Sequence, residues 1–243
     1  MNSNIIKEMK KVNLRFSKIK ALYYLFITLK MVKYMDLIDD YIRENIGFEC
    51  EEGSFESLKS LMLNDFGKIS GYFDLKKKYR NYMYRFNRLR VYKPDKCLKV
   101  GIIGELYTVM EPYANYFLEK ELAKNNIEIK RFTNVHYLLV EKKNMVKKYL
   151  KYVSEYVKYP MGADAVDNIA RAKYLGAEGY DGIIHIKSSF CTPEIGAMSI
   201  INKISDDYNI PVIFFSFDAN TSEVGIKTRL EAFYDMLEMR KRK

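Results

Sequence analysis

Residues 182–193 read GIIHIKSSFCTP. The first half is a short apolar, β-branched run, as expected of a strand buried on both faces. The second half ends that strand. Two serines, a phenylalanine and a cysteine lead to Thr192 as a helix N-cap and Pro193 at a first helical position. Strand, loop and helix in that order form half of a parallel crossover unit. The same alternation extends outward on both sides. Leu98–Ile103 (LKVGII), Ile127–Phe132 and Pro211–Ser216 (PVIFFS) read as further strands. Tyr113–Lys124 (after Pro112), Val135–Lys158, Asp164–Leu175, Thr192–Tyr208 and Ser222–Arg240 read as helices. In Val135–Lys158 the inward residues are Leu138, Leu139, Val146, Leu150 and Val153. The pattern predicts an α/β domain over residues 97–243: a flavodoxin-like parallel sheet of about four strands with helices on both faces.

Residues 1–96 carry almost no strand signal and are expected to form a separate, all-helical segment. Leu22, Leu25, Leu29, Val32, Met35, Ile38 and Ile42 recur at three- and four-residue spacings, the stripe of a long amphipathic helix. Phe55, Leu58, Leu61 and Met62 mark a second helix, and Asp74–Leu89 a third, rich in Lys, Arg and Tyr. This arm holds 20 of the 41 basic residues and 12 of the 31 acidic ones, so most of the net charge of +10 lies in it. A solvated basic face explains that excess, because no RNA-binding signature, zinc finger or Gly-rich basic tail accompanies it. Neither a nucleic-acid partner nor a membrane is expected. The most apolar stretch, Ala21–Leu29, is far shorter than the ~20 residues of a spanning helix. Three unpaired Cys fit a reducing compartment, so a cytoplasmic protein is expected.

In such a sheet, ligands bind beyond the carboxyl ends of the strands. The sequence places Gly104, Glu105 and Tyr107 after the first strand. Lys187, Ser188, Ser189 and Cys191 follow at the end of the third, with Glu194 in the next helical turn, and Asp218 follows the fourth. Cys191 precedes a helix N-terminus, where unpaired N–H groups favour an anion, so a metal-binding thiolate is one reading and a small packed residue the other. His185 reads as packed beneath a helix, and Lys187 as either an anion binder or a snorkelling side chain. Glu194 reads as a helix-dipole partner. Cys97 precedes the first strand, at the opposite edge of a sheet whose six-residue strands span roughly 20 Å. It is therefore not expected to share a metal with Cys191, and Cys50 lies in the helical arm without a motif. Catalytic residues are not assigned. There is no GxGxxG, P-loop or GxSxG.

Three stretches, Leu98–Asn115 (LKVGIIGELYTVMEPYAN), Tyr159–Ile195 (YPMGADAVDNIARAKYLGAEGYDGIIHIKSSFCTPEI) and Ile210–Leu237 (IPVIFFSFDANTSEVGIKTRLEAFYDML), fall at the ligand-side loops. Together they resemble the 2-hydroxyacyl-CoA dehydratase / benzoyl-CoA reductase family, in its component D-like, activase-related branch. The resemblance covers nearly all of residues 97–243 and implies only the C-terminal half of the longer members. It implies that Cys191 is one ligand of a [4Fe-4S] iron–sulfur cluster. It implies that the remaining thiols come from a separate N-terminal-half protein and that an ATP-dependent activator supplies electrons. No cluster is expected in the isolated chain. The implied chemistry is low-potential electron transfer or radical dehydration of a CoA thioester, by a lyase or reductase subunit. Ser188 and Ser189 depart from the family, which usually has Pro or Gly there. Two other readings stand beside this one. One is a small-anion or nucleotide-binding module using Gly104, Ser188 and Asp218. The other is a partner-docking protein with an idle Cys191.

Overall fold

The computed structural model describes residues 17–242. By contacts the chain forms two units. One comprises Met1–Ile38 with Ser54–Leu89, the other Asp39–Gly53 with Arg90–Lys243.

The first unit contains most of helix α1 (Lys18–Asn45), then α2 (Ser54–Phe66) and α3 (Tyr72–Phe86). Its buried side chains include Ile27, Ile38, Phe55, Leu58, Met62, Phe66, Leu75, Tyr82 and Phe86. Tyr34 stacks on Tyr79 with ring centroids 4.1 Å apart, and the Tyr82 hydroxyl donates to Asp65. The expected stripe on α1 holds only in its C-terminal half. Leu22 and Leu25 are exposed and Ile27 is buried instead. Residues 21–29 are apolar on nearly every side, so spacing alone does not single out one face there. Leu61 likewise faces out, and Phe66 completes the buried face of α2.

The second unit holds β1 (Leu98–Gly104), β2 (Ile127–Arg131), β3 (Gly182–Ser188) and β4 (Val212–Phe217). They form one parallel sheet in the order β2-β1-β3-β4. The two-residue period divides the core. Val100, Ile102, Ile184, Ile186, Phe215 and Phe217 pack with α5 (Leu118–Lys124) and α9 (Glu223–Lys241). Ile103 and Ile183 face α7 (Ala165–Ala177) and α8 (Thr192–Tyr208), through Ile169, Leu175, Ala197 and Ile201. Each of these aliphatic side chains stabilises the fold by roughly 1.5–3 kcal/mol through burial. Gly101 lets α7 approach closely, since a Cβ there would lie 2.2 Å from Leu175 Cδ1.

Two connections differ from the sequence expectation. A short helix, α4 (Leu106–Met110), follows β1 directly, and the single helix expected over residues 113–124 is broken. Pro112–Asn115 is a 3-10 turn, and Tyr116 and Phe117 adopt left-handed backbone at φ 53° and 55°. The buried Asn115 side chain stabilises this turn, donating to the Thr108 carbonyl at 2.8 Å and accepting from the Leu118 N–H at 3.2 Å. The helix expected over residues 135–158 is a π-turn (Tyr137–Glu141) followed by α6 (Lys142–Tyr152). The wider π-turn shifts the helical register, so Leu139 faces solvent while Tyr137 is buried.

Ion pairs join Asp39–Gly53 and Lys93 to the sheet unit. Arg43 Nε donates to Glu119 at 3.0 Å, and Lys93 Nζ lies 2.9 Å from Glu128. Lys93 also donates to the Glu44 carbonyl. A chain beginning at Cys97 should therefore still melt in one cooperative transition, but at a lower temperature than the full chain. The expected loss is about 2–4 °C per kcal/mol of contacts removed. Thermal circular dichroism checks this, and a non-cooperative melt of the shortened chain would contradict it.

Candidate functional site

The connections of β1 and β3 leave in opposite directions, making a crevice between their carboxyl ends. Gly104 forms its floor. Its φ is +140°, and a Cβ there would lie 1.8 Å from the Ile186 carbonyl oxygen. Just beyond, the Glu105 N–H donates to the same carbonyl at 2.9 Å. The Glu105 carboxylate folds back, accepting from the Ser188 N–H at 2.6 Å and the Thr108 hydroxyl at 3.1 Å. The crevice N–H that an anionic ligand would use is thus taken by the chain's own carboxyl group. Tyr107, two residues on, points to solvent.

The loop after β3 is held from several sides. Lys187 is buried and donates to the Ser188 carbonyl at 3.2 Å, which also accepts from the Cys191 N–H. The Ser189 N–H donates to the Phe217 carbonyl, and its hydroxyl donates to Asp218 at 2.7 Å. Asp218 also accepts from the Asn220 N–H and the Thr221 hydroxyl. The Ser189 hydroxyl above all, and then the Asn220 N–H, hold its carboxyl below the usual range. Asp218 therefore braces two loops. Phe190 is 87% exposed beside them.

Cys191 lies three residues beyond β3 and is half-buried at the N-cap of α8, one position earlier than the cap expected at Thr192. Burial pushes its thiol above the ordinary value. The Glu105 and Glu194 carboxyl groups add to this, opposed by the Glu194 N–H bonded to the sulfur and by Lys187. The helix N-terminus is outweighed by burial and two nearby carboxyl groups. Since the thiolate is the nucleophile, the rate of Cys191 alkylation by iodoacetamide should still be rising with pH at 9.0, the ordinary thiol value. A profile that levels off near pH 7, followed on the Cys191 peptide by mass spectrometry, would contradict this.

Beneath Cys191 lies a buried polar network that sequence reasoning missed. Glu194, read from the sequence as a helix-dipole partner, is fully buried. Its Oε2 lies 2.7 Å from His185 Nε2, and its Oε1 accepts from Asn168 Nδ2 at 2.9 Å. His185 is packed as expected, beside the Phe214 ring. Asn168 also donates to the Gly104 carbonyl at 2.9 Å and accepts from Arg171 Nη1 at 3.2 Å. Arg171 in turn donates to Thr133 at 2.7 Å, while its guanidinium rests on the Tyr137 and Phe132 rings. One signal was available. Asn168 and Arg171 are three residues apart, among the core-facing Val166, Ile169 and Ala170.

The structure therefore gathers Gly104, Glu105, Lys187, Ser188, Ser189, Cys191 and Glu194 at one crevice, with Asp218 at its rim and Tyr107 turned outward. Cys97 is buried next to the first residue of β1, at the opposite edge, with its sulfur 3.8 Å from Glu128. Cys50 is exposed in the Asp39–Gly53 segment. Among the described residues, no group of three or more His, Cys, Asp or Glu is placed to hold a metal ion. No described helix is long and apolar enough to cross a membrane.

Residues 130–237 match the family model of the 2-hydroxyglutaryl-CoA dehydratase D-component. The match runs from within β2 into α9 and includes the loops after β3 and β4. No curated protein matches the chain.

Proposed function

We propose that this chain, whose residues 130–237 are a 2-hydroxyglutaryl-CoA dehydratase D-component domain, supplies Cys191 to an iron–sulfur cluster completed by a second protein. The family in general contains iron–sulfur clusters, and its components act in complexes. A [4Fe-4S] cluster commonly takes four thiolates, and this chain's described residues do not fit a complete site. No reaction step is therefore assigned to this chain alone. The observation that carries the reading is the setting of Cys191. It is a half-buried thiol at the ligand edge of the sheet, with exposed Phe190 next to it in the chain and exposed Ile195 four residues on.

In this reading residues 97–243 are the working domain and residues 1–96 a helical, basic arm. The partner is an N-terminal-half protein bearing further thiols, with an ATP-dependent activator as electron donor. The assembled protein serves low-potential electron transfer or radical dehydration of a CoA thioester, in the cytoplasm. The rival anion-binding reading is disfavoured by carboxyl groups at its own ligand positions. Glu105 takes the Ser188 N–H, and Asp218 is held in its ionised form. Anaerobic co-expression with the genomic neighbours separates the two readings. A brown complex with iron and sulfide supports the cluster reading. An iron-free chain with bound flavin or nucleotide overturns it.

A further inference from the structure

We infer that Asn168 is a positioning residue of the Cys191 edge, a buried joint that ties the loops after β1, β2 and β3 together. The inference rests on the reading of Cys191 as the group this chain presents. Asn168 is itself fully buried. Its amide donates to the Gly104 carbonyl at the end of β1 and to Glu194 in the first turn after Cys191, each at 2.9 Å. Its oxygen accepts from Arg171, which reaches Thr133 just beyond β2. The joint requires two donors and one acceptor on a short planar group, which an amide of this length supplies. Aspartate would lose both donors and set a second carboxyl group against Glu194. Alanine would leave the buried Gly104 carbonyl and Glu194 Oε1 without this donor.

Glu194 couples the joint to the thiol. Its side chain is fixed by Asn168 and His185, and its backbone N–H is bonded to the Cys191 sulfur. Loosening Asn168 should therefore release the Cys191 turn before the rest of the sheet.

The test uses the full chain, without iron or partner, and iodoacetamide at one fixed pH. The readout is the ratio of Cys191 to Cys97 alkylation, by peptide mass spectrometry. In Asn168→Ala the ratio should rise at least fivefold. Asn168→Ser, which keeps a single donor, should give a smaller rise and serves if the alanine variant does not fold. The control is Ile169→Val, a core change on the same helix outside the polar network. It should lower the melting temperature without moving the ratio. An unchanged ratio in a folded Asn168 variant, or an equal rise in Ile169→Val, would overturn the inference.

Hydrogen exchange on the unmodified chain adds a measurement that needs no variant. The bonded amides of Glu105 and Glu194 should open together as one unit, and independent opening would overturn the inference. None of these readouts involves a cluster. A chain that never takes up iron defeats the cluster reading while leaving this test standing, and a failure here leaves that reading intact.

Discussion

In a complex with a protein carrying the further thiols, Cys191→Ser should abolish iron incorporation, whereas Cys97→Ser and Cys50→Ser should leave it unchanged. A serine hydroxyl is isosteric with the thiol but binds iron far less well, because soft thiolate is the donor that iron–sulfur clusters take. Cys97 is excluded by its place. It precedes β1 and is buried at the amino-end edge of the sheet, a strand's length from Cys191. Cys50 follows the 3-10 turn Ile46–Phe48, in a segment that joins the sheet unit near β2 and Ala123, not at the ligand edge. The raised pKa of the Cys191 thiol adds a pH dependence. Metal must displace its proton, so iron uptake should improve as pH rises through the neutral range. Iron and sulfide assays on the three purified complexes check the first expectation, and the same assays from pH 6.5 to about 8.5 check the second. Full iron in the Cys191→Ser complex would remove this cysteine from the site.

Gly104→Ala should be the most damaging small substitution in the sheet unit. The added Cβ would lie 1.8 Å from the Ile186 carbonyl oxygen and 2.7 Å from its carbon, both backbone atoms of the neighbouring strand. The residue also sits at φ +140°, where side chains are strained. Relief would require parting β1 from β3 at the crevice, breaking the Glu105 N–H bond to Ile186 and the Glu105 carboxylate's grip on Ser188. A loss of roughly 4 kcal/mol or more is expected, enough to unfold a domain of ordinary stability. Gly179→Ala is the control. It also has a positive φ, +72°, but no atom lies within 4 Å of the added Cβ. Its cost should be about 1–2 kcal/mol. Urea denaturation of both variants gives the comparison, and similar midpoints would show that the crevice can yield.

The strands were legible because each is an uninterrupted apolar run bounded by turn residues. All four lie within a residue or so of where their composition puts them at each end. The α/β class, the parallel sheet and the helices before it followed from that alternation. The breaks in the helices were hidden. Tyr116 and Phe117 take left-handed backbone without a glycine to announce it, held by contacts of Asn115 that spacing does not reveal. The candidate site was legible in place but not in role. Strand ends locate the crevice, so Glu105, Ser188 and Cys191 could be named from order alone. Whether a carboxyl group faces water or turns inward depends on its partners. Glu105 turns onto a backbone N–H and Glu194 onto His185 and Asn168, partners that sequence order does not reveal. Burial first, with these two carboxyl groups adding to it, raises the Cys191 thiol that a helix N-terminus alone would have lowered.

The most direct measurement is the iron and sulfide content of this chain purified anaerobically, first alone and then with a co-expressed protein that carries further thiols. The expected result is no stable cluster in the isolated chain and close to four irons per complex, the content of a [4Fe-4S] cluster. Stoichiometric iron in the isolated chain, or an iron-free complex, would contradict the account of Cys191 as one ligand of a shared cluster.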